Sequence, residues 1–215
     1  MRIELFADIA CPWCYIGERR LKRALQARGL AADVVWRPFQ LQPGLPRDGQ
    51  PWDAFVDAKF GGAGRAQGMF AHVAAAAAGD GIDFRFDRVA VAPNTRDAHR
   101  IMMLAGEKGL TWEMAEALFR AYFTDGQDVT RGAVLADLAR AVGIAESETW
   151  AMLRSDRFTL EVDAGQARAA QLGVTGVPFF VFGDAYALSG AQSYEVMLQV
   201  LDQAEGHRSP IPPRG

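Results

Sequence analysis

The chain of 215 residues holds two cysteines, three positions apart, as Cys11-Pro12-Trp13-Cys14. The apolar run Ile3-Glu4-Leu5-Phe6 before them alternates like a strand, and Ile16, Leu21, Ala24 and Leu25 after them recur at helical spacing. The pair therefore falls at a strand-to-helix junction, with Cys11 at the helix N-terminus and Cys14 one turn on. There, unpaired backbone N–H groups and the positive end of the helix dipole favour a thiolate. Thiols in such motifs have pKa values lowered from about 8.5 to roughly 3.5–7.5. The spacing also lets the two sulfurs close a disulfide. Pro12 suits a first-turn position, where the N–H it lacks has no helical partner. These residues point to redox chemistry.

Blander readings fit less well. A zinc site needs four ligands, but there is no third cysteine, and His72, His99 and His207 stand singly. A purely structural disulfide across so short a loop removes little chain entropy. Two ordinary buried thiols remain an alternative that the strand–CxxC–helix context disfavours.

A second string adds weight. Val174-Thr175-Gly176-Val177-Pro178 leads into Phe179-Phe180-Val181-Phe182, which reads as a buried strand with Pro178 at its start. A turn at Gly183 or Asp184 then returns through Ala185-Tyr186-Ala187-Leu188 as a hairpin partner, and a last helix spans 193–205. Taken alone, Pro178 reads as trans, since only about 5–6% of X–Pro bonds are cis. Alongside the cysteine pair, it reads as a cis-proline loop.

Between these strings, 32–37 reads as a second strand and 42–51, with Pro43, Gly44, Pro46 and Gly49, as a loop. Helices are expected over 52–60, 65–78, 95–108, 112–124, 131–142, 148–154 and 157–172. Asn94 with Asp97, and Thr130, are their expected N-caps. Gly61-Gly62-Ala63-Gly64 follows a helix and lacks Gly-Lys-Ser/Thr, so it reads as a linker rather than a phosphate loop. Half the residues are apolar and the net charge is −3, which supplies a sizeable core and no electrostatic reason for a nucleic-acid or membrane partner. Met1-Arg2 leads straight into the first strand, with no signal-peptide pattern, so the expected location is cytoplasmic. In a reducing compartment, disulfide reduction or isomerisation is favoured over net formation.

The chain resembles the thioredoxin fold, with the large all-helical insertion of the DsbA branch: an α/β protein with a mixed central sheet flanked by helices. Asp8 to Gly17, Asn94 to Arg100, Val174 to Phe182 and Ser189-Gly190-Ala191-Gln192 resemble the FrnE-like DsbA-family oxidoreductases. The likeness implies a discontinuous thioredoxin-like domain over 1–42 and 174–205, a helical insertion over 43–173 and a flexible tail over 206–215. It implies Cys11 as the exposed nucleophile, Cys14 as the resolving thiol, Pro12 and Trp13 as the rest of the motif, and Val177 and Pro178 as a loop facing the cysteines. The Val177 backbone would pair with an extended protein or peptide disulfide substrate. No bound cofactor or metal is implied; glutathione is a candidate electron donor, and the oligomeric state is left open. DsbA itself carries a histidine where this chain has Trp13, which implies a less depressed Cys11 pKa and a weaker oxidant.

Four further residues are weaker candidates. Asp8 is either a proton relay or, more simply, a solvated turn residue. His99 either faces the cysteines or is structural. Asn94 and Gln192 belong to the resembling motifs. Met102, Met103, Phe119, Tyr122 and Phe123 read as core, with one or two available to a substrate groove. Kappa-type glutathione transferases and hydroxychromene-carboxylate isomerases share the fold but use Ser at the position of Cys11. They also carry an acid in the last loop, where this chain has Gln192. A glutathione-dependent isomerase or transferase, and a non-enzymatic peptide-binding module, are the alternatives.

Overall fold

The computed structural model describes residues 1–183 and 185–206. Four strands form one sheet: β1 (Arg2–Ala7), β2 (Asp33–Pro38), β5 (Phe179–Phe182) and β6 (Tyr186–Ser189), in the order β2-β1-β5-β6. β1 runs parallel to β2 and antiparallel to β5, so Leu5 lies between Trp36 and Phe180. Both faces of β1 are covered. Ile3 and Leu5 join the main core, while Phe6 packs with Phe39, Ala169 and Val174 on the other side. That is why its apolar residues occupy both parities of the strand.

Helix α1 (Pro12–Arg28) crosses from β1 to β2, with Pro12 as its first helical residue and no acid in its first turn. Seven helices separate β2 from β5: α2 (Trp52–Phe60), α3 (Ala63–Ala76), α4 (Arg96–Glu107), α5 (Thr111–Phe123), α6 (Gly132–Ala141), α7 (Glu146–Leu153) and α8 (Thr159–Gln171). Helix α9 (Tyr194–Gly206) follows β6. The expected helices are present, with ends displaced by up to two residues. The linker reading of 61–64 shortens to Gly61-Gly62, because α3 already begins at Ala63.

The insertion is continuous with the sheet's core. Ile101, Met102, Leu118 and Phe119 pack with Ile3, Leu5 and Trp36. At Gly165, in α8, a Cβ would stand 2.6 Å from the Pro38 carbonyl oxygen, so this helix meets the end of β2 at a distance only glycine permits.

Two elements escape a pattern reading. β3 (Gln50–Pro51) and β4 (Val91–Ala92) form a two-residue antiparallel ladder, too short for any alternation to show. Two capping expectations are corrected. Thr130 turns its hydroxyl to Asp128 Oδ1, and Arg131 takes the cap position of α6. Asn94 lies one residue outside the cap position of α4, with its Oδ1 accepting from the Arg96 N–H and from Gln40 Nε2. Asp97 is spent on Arg100 and Arg47. The expected tail falls, from residue 207 on, outside the described residues, as do His207 and the turn residue Asp184; Gly206 closes α9.

Candidate active site

Cys11 occupies the N-cap position of α1 in extended conformation, and its carbonyl accepts from the Cys14 N–H at 3.0 Å. Its Sγ donates to the Val177 carbonyl oxygen at 3.6 Å, across 166 residues of sequence. The Val177–Pro178 peptide bond is cis, and the Pro178 carbonyl is held by the Gly190 N–H at 2.8 Å. Two loops distant in sequence thus meet at one sulfur.

Gly17 makes that meeting possible. A Cβ there would stand 2.9 Å from Pro178 Cγ and 3.0 Å from Phe180 Cζ. Helix α1 can lie against the proline ring only because this position has no side chain.

Cys11 is not the exposed thiol expected from the resemblance: it is 4% exposed. Val177 covers it on one side. On the other it forms part of the wall of a cavity of about 200 Å³, built with Pro12 and Trp13 against α2, α3 and α5. Tyr122 and Phe123 join that wall, whereas Met102 and Met103 border a different cavity beside β2. Cys14 is fully buried. Burial first, then the adjacent Cys11 sulfur, push its thiol well above the ordinary cysteine range. Both cysteines are free thiols.

The solvated-turn reading of Asp8 is corrected. Its carboxylate is buried and accepts from the Ala10 N–H at 3.3 Å and the Leu41 N–H at 2.7 Å. Its own N–H donates to Cys14 Sγ at 3.5 Å. His99 is buried behind it, with Nε2 3.3 Å from Asp8 Oδ1 but without hydrogen-bond geometry. The Trp36 indole donates to His99 Nδ1 at 3.1 Å, which leaves Nε2 to carry the proton of the neutral ring. His99 therefore reaches the cysteines only through Asp8.

The remaining candidates lie elsewhere. Asn94 donates to the Leu45 carbonyl and braces the loop after β2. Gln192 turns its amide onto the Ser189 carbonyl of its own loop, and its main-chain carbonyl accepts from Arg20. Trp13 leans on His72 of α3, ring centroids 5.6 Å apart, so a titratable ring stands against the motif after all, supplied from the insertion. Only its placement in space reveals this. Arg100, quoted in the second motif, is buried and donates to the carbonyls of Met152, Ser155 and Arg157, tying α4 to the end of α7 and the segment after it. Among the described residues no group of three or more His, Cys, Asp or Glu is placed to hold a metal ion. No helix there is long and apolar enough to cross a membrane.

Known proteins share this architecture. The DSBA-like thioredoxin domain family matches residues 2–202, so the chain belongs to that family. A probable DsbA oxidoreductase from Streptomyces coelicolor is 40% identical, with a TM-score of 0.88 over 100% of this chain and 94% of that one. A 2-hydroxychromene-2-carboxylate isomerase is 19% identical with a TM-score of 0.70, covering 97% of this chain and 96% of its own. The cytosolic disulfide reductase DsbM from Pseudomonas aeruginosa, with glutathione, is 18% identical with a TM-score of 0.67, over 97% and 98% of the two chains. The last two likenesses concern the fold.

Proposed function

We propose that the protein is a thiol–disulfide oxidoreductase of the FrnE-like branch, acting as reductase or isomerase through Cys11 and Cys14. The observation that carries this reading is the junction of Cys11 at a helix N-cap with the carbonyl of Val177, 3.6 Å away. The Cys11 thiolate attacks one sulfur of a substrate disulfide; an S–S bond forms to Cys11 and the other substrate sulfur leaves as a thiol. Cys14 then attacks Cys11 Sγ, closing the Cys11–Cys14 disulfide and releasing the second thiol. The substrate gains two electrons and the two cysteine protons, and glutathione in a cytoplasmic setting is the reductant that restores the dithiol.

Cys14 must lose its proton inside the protein, where burial holds the thiol protonated. Asp8 stands beside it as the buried carboxylate that takes up this proton, with His99 behind Asp8 as its polar neighbour. Val177 and Pro178 align an extended protein or peptide segment across Cys11 by backbone pairing.

Insulin reduction with dithiothreitol tests the reading. Cys11→Ser abolishes activity, while Cys14→Ser stalls at a covalent Cys11 mixed disulfide visible by mass. Full turnover without Cys14 overturns it. That outcome favours the second reading, a glutathione-dependent isomerase or transferase, for which the apolar cavity beside Cys11 is the supporting observation.

A further inference from the structure

The cavity beside Cys11 has a chemical character of its own. Its wall is built of rings. Phe70 stacks on Phe86 at 4.3 Å and on Trp52 at 5.7 Å, and Trp52 stacks on Phe55 at 5.7 Å. Each ring braces the next, so the space is preformed. Its volume, about 200 Å³, slightly exceeds the roughly 150 Å³ of an engineered cavity that holds benzene. It therefore fits one aromatic ring with small substituents.

A single cation, Lys59, stands in its lining. The ammonium lies 5.0 Å from the Phe55 ring centre and 5.9 Å from that of Phe60. Lys59 is exposed and, among the described residues, has no carboxylate partner. An apolar ring site with one unneutralised positive charge at its edge complements a ring that carries an anionic group.

We propose that this cavity selects small aryl disulfides bearing a carboxylate as substrates for Cys11. The assignment rests on the redox reading above and names its substrate class. The Cys11 thiolate attacks the aryl-bearing sulfur, forming a Cys11–aryl mixed disulfide and releasing one aryl thiol. Cys14 displaces the second aryl thiol by closing the Cys11–Cys14 disulfide. Two electrons and two protons pass from the protein dithiol to the substrate, so a single turnover of reduced protein needs no further reagent.

The test is stopped-flow oxidation of the reduced full-length protein by three probes: dithiobis(nitrobenzoate), uncharged dithiodipyridine, and hydroxyethyl disulfide. Each rate is divided by that of free glutathione with the same probe, which removes intrinsic reactivity. The nitrobenzoate probe is expected to saturate and to exceed hydroxyethyl disulfide at least tenfold on this scale. Lys59→Gln, at an exposed position, lowers its advantage over dithiodipyridine at least fivefold. Met69→Trp, which narrows the cavity from a half-exposed position in its wall, lowers the advantage of both aryl probes over hydroxyethyl disulfide. Equal normalised rates, or ratios unmoved by both variants while insulin is still reduced, overturn the assignment and leave the redox reading standing. A larger gain for a Phe-flanked peptide disulfide than for the nitrobenzoate probe assigns the cavity to a protein side chain and likewise overturns it. Failure of every disulfide to oxidise the dithiol overturns both.

Discussion

Glu18 lies on α1, one turn beyond Cys14, 1% exposed, and neither carboxyl oxygen has a hydrogen-bond partner. Burial, then repulsion from Glu116, raise its pKa from 4.5 to about 8. Glu116 cannot relieve it, being engaged by Arg19 and the Tyr15 hydroxyl. The sign follows from linkage. Below about 4.5 the folded and unfolded chains both hold the proton; between 4.5 and about 8 only the folded chain does. Stability therefore falls as pH rises through that window and levels off above it. At 1.36 kcal/mol per unit, the loss amounts to at most about 5 kcal/mol. Glu18→Gln keeps the shape of the neutral acid and removes the titration. Urea unfolding of both proteins at pH 4, 6, 7 and 9 reads the difference, because groups distant from Glu18 titrate alike in the two. The variant is expected to match the parent near pH 4 and to exceed it by several kcal/mol at pH 9. A difference that stays constant across the series refutes the reasoning.

Two further substitutions probe the site, with a third, outside it, as a control. In an open helix, Gly→Ala gains about 1 kcal/mol, and Gly68→Ala in α3, where a Cβ meets nothing within 4 Å, is expected to show that gain in urea unfolding. Gly17→Ala is expected to lose stability instead, since overpacking against Pro178 and Phe180 costs roughly 1–3 kcal/mol, and to slow insulin reduction; equal effects at the two glycines contradict the close approach. Asp8→Asn leaves either the Ala10 or the Leu41 N–H without its acceptor, at about 1–3 kcal/mol, and removes the base beside Cys14. Release of the Cys11 mixed disulfide should slow at least tenfold with an altered pH profile, and an unchanged profile denies Asp8 its role.

Local strings carried much of this molecule in advance. Apolar periodicity marks α1 through Ile16, Leu21, Ala24 and Leu25, since a helix shows its buried face every three or four residues. The α/β class is what the thioredoxin-fold resemblance implies, and the cysteine pair and Val177-Pro178 are the strings that carry that resemblance. What stayed hidden depends on partners distant in sequence. Asp8 reads as a turn residue because nothing local shows Leu41 and His99 closing over it. Cys11 reads as exposed because the rings that enclose it come from α2, α3 and α5. Gly17 looks like any helical glycine until Pro178 is placed against it. Glu18 stands beside Arg19 and near Lys22 in sequence, and nothing local shows that its side chain is buried. β3 and β4 are two residues each, a single period of strand alternation, so no repeat can show.

The order of the sheet bears on how the protein is made. β1 pairs with β5 through Ile3–Phe182 and Phe6–Phe179, so a ribosome must add more than 170 residues between the two partners. At roughly 5–20 residues per second that interval is on the order of 10–30 s. Throughout it the Val177 carbonyl does not yet exist, and Cys11 is an ordinary thiol on a strand without its antiparallel neighbour. The helices between β2 and β5 pack on β1, β2 and one another, all of which precede β5 in the chain, and can organise while synthesis continues. The cysteines are translated long before Val177, so the surroundings that enclose them are complete only once that distant loop has been made. A nascent chain stalled before residue 177 should therefore show both thiols open to alkylation, with Cys14 withdrawn from the reagent only after β5 has emerged.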